Sequence, residues 1–127
     1  SKKFIFTGYK SDIESYITDF DIFFIPSRYP DPFPRVVVES MALGKPVIGF
    51  NIGGIGEAID NNINGFSLDV DSKDVSNQIV RLIEDNQLRM RMGYESRKKA
   101  VAKYDSRIIA NKIINEINLL VSSSFKT

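Results

Sequence analysis

Residues 26–57 read PSRYPDPFPRVVVESMALGKPVIGFNIGGIGE. Two carboxylates, Asp31 and Glu39, stand there with seven residues between them. Pro34 suits the first position of a helix, where its missing N–H costs nothing. The helix is predicted to run to about Leu43 and to stop at Gly44, with Pro46 just beyond. Pro46 to Phe50 reads as a buried strand. Gly53-Gly54 then turns the chain into a short helical piece around Glu57 to Ile59.

Working outward, Phe4 to Thr7 reads as a short buried strand ended by Gly8. Ser11 or Asp12 is a helix N-cap, with Glu14 in the first turn, and Ile13, Tyr16, Ile17 and Phe20 recur at helical spacing. Ile22 to Ile25 is a continuous apolar run, as in a strand buried on both faces. Asn61 to Gly65 reads as a turn and Phe66 to Val70 as a last strand. Val75, Ile79, Leu82 and Ile83 form an apolar stripe. Leu88, Met92 and Ala100 mark a second helix, weakened by Gly93. Ile108, Ile109, Ile113, Ile117, Leu120 and Val121 mark a third. Strands alternating with helices predict an α/β fold, a Rossmann-like parallel sheet flanked by helices. Ligands of such sheets bind beyond the carboxyl ends of the strands, where the Ser27–Pro34 and Gly53–Glu57 loops lie.

A helix N-terminus offers unpaired N–H groups and partial positive charge. The predicted free donors are Arg35, Val36 and Val37, a cradle for a diphosphate. Glu39 lies five residues inside from Pro34, about 7.5 Å along the axis. A carboxylate there could accept from both hydroxyls of a ribose. Asp31, ahead of the helix, could accept from the hydroxyls of a sugar. The parts suit an anionic, hydroxyl-rich ligand such as a nucleotide sugar. The plainer alternatives are that Asp31 caps the helix and Glu39 pairs with Arg35.

The chain has 127 residues, 43% of them apolar, which is enough for one packed domain. Cys and His are both absent, which removes disulfides, the commonest general base and the commonest zinc ligand. No apolar run has the length of a membrane span, and nothing resembles a nucleic-acid module. Residues 1–85 carry a net charge of −5 and residues 86–127 carry +6. The basic part reads either as a solvated helical face or as a contact for anionic lipid or an acidic acceptor. Gly54-Ile55-Gly56 follows a strand as a dinucleotide motif would, but Ile59 stands where the third glycine belongs.

The chain resembles the later part of the donor-binding domain of a family 4 glycosyltransferase, of the GT-B fold. The resemblance lies in Asp21-Ile22-Phe23-Phe24-Ile25-Pro26-Ser27, in Glu39-Ser40-Met41-Ala42-Leu43-Gly44-Lys45-Pro46-Val47-Ile48, in Gly53-Gly54-Ile55-Gly56-Glu57 and in Asn64-Gly65. It implies retaining transfer of a sugar from a nucleotide sugar to a glycan, lipid or polysaccharide, with no metal and no further cofactor. Asp31 and Glu39 would be the catalytic pair, with Glu39 on the ribose and Asp31 on the donor sugar. Backbone around Phe33, Pro34, Arg35, Val36 and Val37 would meet sugar and phosphates. Gly8, Tyr9 and Asp12 would lie near the base.

Residues 1–127 would then be an N-terminally truncated donor-binding domain, inactive alone. The acceptor would be bound mainly by an absent N-terminal domain. The setting implied is a bacterial cytoplasm, at the inner face of the membrane, with polysaccharide synthesis as the pathway class. Peripheral membrane contact by the parent and self-association of the fragment through an open strand edge are also expected. Two departures from the family stand out. Asp31 replaces the usual Glu, and Pro34 replaces a Gly. Proline has no N–H to offer a donor sugar. The competing reading is a degenerate, non-catalytic nucleotide-sugar-binding or scaffold domain.

Overall fold

The computed structural model describes residues 6, 8, 10–104, 114, 115 and 117–122. Its elements run α1 (Ile13–Thr18), β1 (Phe23–Ile25), α2 (Arg35–Ala42), β2 (Val47–Phe50), α3 (Gly53–Ala58), β3 (Gly65–Leu68), α4 (Val75–Glu84) and α5 (Asn86–Lys103). The three strands form a parallel sheet in the order β1-β2-β3. Every residue of the central strand is buried, as expected where helices cover both faces of a sheet. Val47 joins a cluster with Phe23, Val37, Met41, Ile55 and Ala100. Ile48 joins another with Phe66, Leu82, Leu88 and Met92. Thus α2 and α3 pack on one face and α4 on the other, while α5 contributes to both.

The predicted strand Phe4–Thr7 falls mostly outside the described residues. Phe6, the one of its four that is described, is 95% exposed and in no strand, so it is not part of a buried strand. Among the described residues it has no ladder partner, and an extended segment without one leaves its backbone to water. The stripe on α4 is narrower than its spacing suggests. Leu82 is buried, but Ile83 is exposed. Residues 114, 115 and 117–122 are helical, with Ile114, Ile117, Leu120 and Val121 exposed rather than buried.

Glycines set the closest approaches. A Cβ on Gly93 would lie 2.3 Å from the Gly44 carbonyl oxygen. The residue expected to weaken α5 is therefore what lets it lie against the end of α2. Gly44 itself has φ +77°. Its amide bonds the Met41 carbonyl at 2.9 Å and the Lys45 amide bonds that of Ser40 at 3.0 Å, a Schellman arrangement at the helix end predicted near Gly44. In the turn before β3, buried Asn64 accepts from the Asp60 amide at 2.7 Å and donates to the Ala58 carbonyl at 3.0 Å. Next to it, a Cβ on Gly65 would lie 1.7 Å from the Val47 carbonyl oxygen. Gly65→Ala is therefore expected to destabilise the protein by about 3 kcal/mol, through overpacking against a backbone that cannot rotate away. Urea unfolding measures this as a lowered midpoint, and an unchanged midpoint would contradict the close β2–β3 pairing.

Candidate donor site at the start of α2

The loop that leads into α2 is held by α3. Gly54 donates its amide to the Asp31 carbonyl at 2.7 Å. A Cβ on Gly53 would lie 2.9 Å from the Asp31 nitrogen, and one on Gly54 would lie 2.6 Å from Pro34 Cδ and 2.7 Å from the Asp31 oxygen. Both glycines lie inside α3, which starts earlier than its sequence suggests. They form the seat of the Pro30–Pro34 loop. A Cβ on Gly56 would lie 2.3 Å from Asn51 Oδ1. The spaces left by Gly54 and Gly56 are thus filled by the protein itself, unlike the open approach a dinucleotide pyrophosphate requires.

Pro34 is the N-cap of α2 and not its first helical residue. Its φ of −78° fits the proline ring, but its ψ of 89° is not helical. Its carbonyl accepts from the Val37 amide at 3.0 Å and the Val38 amide at 3.2 Å, as an N-cap carbonyl does. Val37 is therefore not a free donor. Phe33 is not one either, because its amide donates to Asp31 Oδ1 at 2.9 Å, an Asx turn. Pro34 has no N–H. The Arg35 and Val36 amides remain as the first two of the helix, with no carbonyl behind them in it.

Phe33, Arg35, Val38 and Glu39 line a concavity of about 70 Å³ at this end of α2. That is room for roughly two waters at their share of liquid volume, so it can hold one portion of a nucleotide-sized ligand. Glu39 is half-buried. The ion pairs among the described residues are Arg28–Asp71 and Lys99–Asp60; Glu39 and Arg35 do not pair. Phe33 is half-buried, with its ring edge-on to Tyr104 at 6.3 Å between centroids. The side chains of Val36 and Val37 face the core, so only their backbone could meet a ligand.

The other predicted residues sit elsewhere. Asp12 is the N-cap of α1 without bonding its backbone, and its carboxylate accepts from the Ser15 hydroxyl at 3.0 Å. Gly8 is exposed with φ +68°, and neither residue lines the concavity. Tyr9 lies outside the described residues. A larger open groove of about 430 Å³ runs along Tyr94, Arg97, Lys98, Val101 and Ala102 and includes none of the predicted site residues. Among the described residues no three of His, Cys, Asp and Glu come together as they would around a metal ion. No helix among them is long and apolar enough to cross a membrane.

Sequence reading missed two residues that support this site, Arg97 and Tyr104. Arg97 donates from Nη1 to the Ala42 carbonyl at the far end of α2. The available signal was Gly93, one helical turn before Arg97 on the same face of α5.

The sequence profile of the "Glycosyl transferases group 1" family matches residues 1–99. The chain belongs to the group 1 glycosyl transferases. It is 34% identical over 110 residues to the N,N'-diacetylbacillosaminyl-diphospho-undecaprenol alpha-1,3-N-acetylgalactosaminyltransferase of Campylobacter jejuni, a match covering 86% of this chain and 29% of that protein. It is 30% identical over 115 residues to the capsular polysaccharide biosynthesis glycosyltransferase CapM of Staphylococcus aureus, covering 90% of this chain and 30% of CapM. Among solved structures, Anabaena HepE in complex with UDP and glucose superposes with a TM-score of 0.78 at 30% identity, over 90% of this chain and 31% of HepE. The chain thus spans less than a third of the length of these relatives. The parallel sheet flanked by helices is that of the GT-B glycosyltransferases.

The Asx turn yields a stability test. Asp31→Asn keeps an acceptor for the Phe33 amide and is expected to unfold within about 0.5 kcal/mol of the parent protein. Asp31→Ala removes the acceptor and is expected to lose about 1 kcal/mol. Equal urea midpoints for the two variants would show that the turn does not hold the loop.

Proposed function

We propose that this chain supplies the donor site of a family 4, retaining glycosyltransferase that moves a sugar from a nucleotide sugar to a glycan, lipid or polysaccharide acceptor. The observation that carries the reading is the meeting of an unpaired, half-buried Glu39 with the open end of α2 at one concavity. In this reading the Arg35 and Val36 amides and the α2 dipole bind the diphosphate. They also stabilise the charge that collects on it as the anomeric C–O bond breaks. Glu39 accepts hydrogen bonds from the ribose hydroxyls. Asp31, turned by its bond to the Phe33 amide, presents its second oxygen to the sugar.

The neighbour HepE was crystallised with UDP and with UDP-glucose, which makes a uridine nucleotide the first donor to try. The Campylobacter and Staphylococcus relatives are named for transfer onto an undecaprenol diphosphate and for capsule synthesis. We infer from this that the parent protein works in the cytoplasm, at the inner face of the membrane, with residues 1–127 as part of its C-terminal domain. The acceptor would then be bound mainly by the remainder of that protein. No metal is required in this scheme, since amides and the helix dipole neutralise the leaving diphosphate.

The test is isothermal titration of the full-length protein with UDP-glucose, GDP-mannose and ADP-glucose. One of them is expected to bind, and Glu39→Ala is expected to weaken it about 10- to 100-fold, or about 1.4–2.7 kcal/mol, through lost charge-assisted hydrogen bonds. Binding of none of the three would reject the reading, and so would an unchanged affinity in Glu39→Ala.

A second reading, a decayed site in a non-catalytic domain, is favoured by one observation. Of the five backbone positions from 33 to 37, Pro34 has no N–H, and the Phe33 and Val37 amides bond within the protein. Pro34→Gly restores an amide. Tighter donor binding in Pro34→Gly is the expected outcome if the proline weakens or redirects donor use. Unchanged binding would make Pro34 merely structural.

A further inference from the structure

The last four carbonyls of an α-helix have no partner within it. In α2 these belong to Glu39, Ser40, Met41 and Ala42. The Leu43, Lys45 and Gly44 amides take the first three, at 3.0, 3.0 and 2.9 Å. The fourth, Ala42, is taken by the Arg97 guanidinium. No basic residue lies in the last turn of α2 itself, so this cation comes from another element. Gly93, one turn earlier on α5, touches Gly44, and Tyr104 meets Phe33 at the other end. The pairs 93 with 44, 97 with 42 and 104 with 33 run in opposite directions along the two chains. Helix α5 therefore lies antiparallel along α2 as a splint, fastened at the closed end by Arg97.

We propose that Arg97 is a positioning residue for donor binding. It makes no contact with the concavity beside Glu39. It holds the helix whose other end presents the Arg35 and Val36 amides, by completing the C-terminal cap and placing positive charge at the negative end of the α2 dipole. The role rests on the donor-site reading above, because only a ligand at the start of α2 would sense it. The helix is eight residues long, about 12 Å, so it moves as one body when its fastened end is released. Lys98, on the same helix, makes no bond to α2 among the described residues and serves as the control.

The experiment compares Arg97→Met, Arg97→Lys and Lys98→Met in the full-length protein. Amide signals of Arg35 and Val36 are followed by NMR, and nucleotide-sugar affinity by titration at a temperature where every variant is folded. Arg97→Met, which keeps the aliphatic stem but no donor, is expected to shift the Arg35 and Val36 signals and to weaken donor binding about 3- to 10-fold. Arg97→Lys, still a cation able to reach the carbonyl, is expected to recover most of both. Lys98→Met is expected to change neither. A lower melting temperature in Arg97→Met with unmoved Arg35 and Val36 signals would overturn the inference, since the residue would then be structural only. Shifted signals in Arg97→Met with no nucleotide-sugar binding by the unsubstituted protein would instead reject the donor-site reading and leave the splint standing.

Discussion

Each of the first four helices ends on a positive charge brought from elsewhere. Lys45 donates to the Thr18 carbonyl of α1, Arg97 to Ala42 of α2, Lys99 to Glu57 of α3, and Arg89 to Leu82 and Ile83 of α4. The first three of these helices have no basic residue in their own last turn. Carbonyls left unpaired at a packed helix end are costly, and a cation there also offsets the negative end of the dipole. Three of the four donors lie on α5. That explains its composition better than an amphipathic face would. It also accounts for three of the nine Lys and Arg residues in 86–127.

The proposed donor site depends on this arrangement at one remove. Its geometry is fixed by backbone on both sides, by Gly53 and Gly54 beneath the Pro30–Pro34 loop and by the capped end of α2 behind it. A loop held by main-chain bonds and by rings of fixed φ has little freedom to lose when a ligand arrives. That suits the proposed role of aiming dipoles at a charge that develops during reaction. The two residues whose sequence reading departs from the family pattern, Asp31 and Pro34, fall inside this rigid part. Pro34 has no amide to offer and Asp31 bonds the Phe33 amide, so both belong to the scaffold of the loop.

The layered α/β fold was legible where the pattern was local. Val47 to Phe50 is unbroken and apolar, and Gly44 with Pro46 marks a helix end that the structure closes with a Schellman motif. At the candidate site the start of α2 and the place of Glu39 within it were legible, since they need only one helix, whereas Asp31 does not line the concavity. What escaped was non-local. Gly53 and Gly54 read as a turn because glycine disfavours helix, yet here the lack of a Cβ is needed by a loop twenty residues earlier in the chain, and α3 begins with them. Ile83 has the spacing of a core residue, but its side chain is exposed and joins neither core cluster, while its carbonyl is taken by Arg89 of α5. The free amide expected at Val37 depended on a one-residue shift in where Pro34 stands. Gly93 marks the face of α5 that packs closely, but nothing in the sequence names Ala42 as the partner of Arg97 across 55 positions.

That separation has a consequence in time. During synthesis α2 is made 55 residues before the side chain that closes its last carbonyl, an interval of roughly 3–11 s at common elongation rates. Through that interval its C-terminal carbonyl must bond water, and its partner face on α5 does not yet exist. The nascent α2 can form turns but cannot settle into its final position. The start of α2 is therefore made well before the contact that closes its far end.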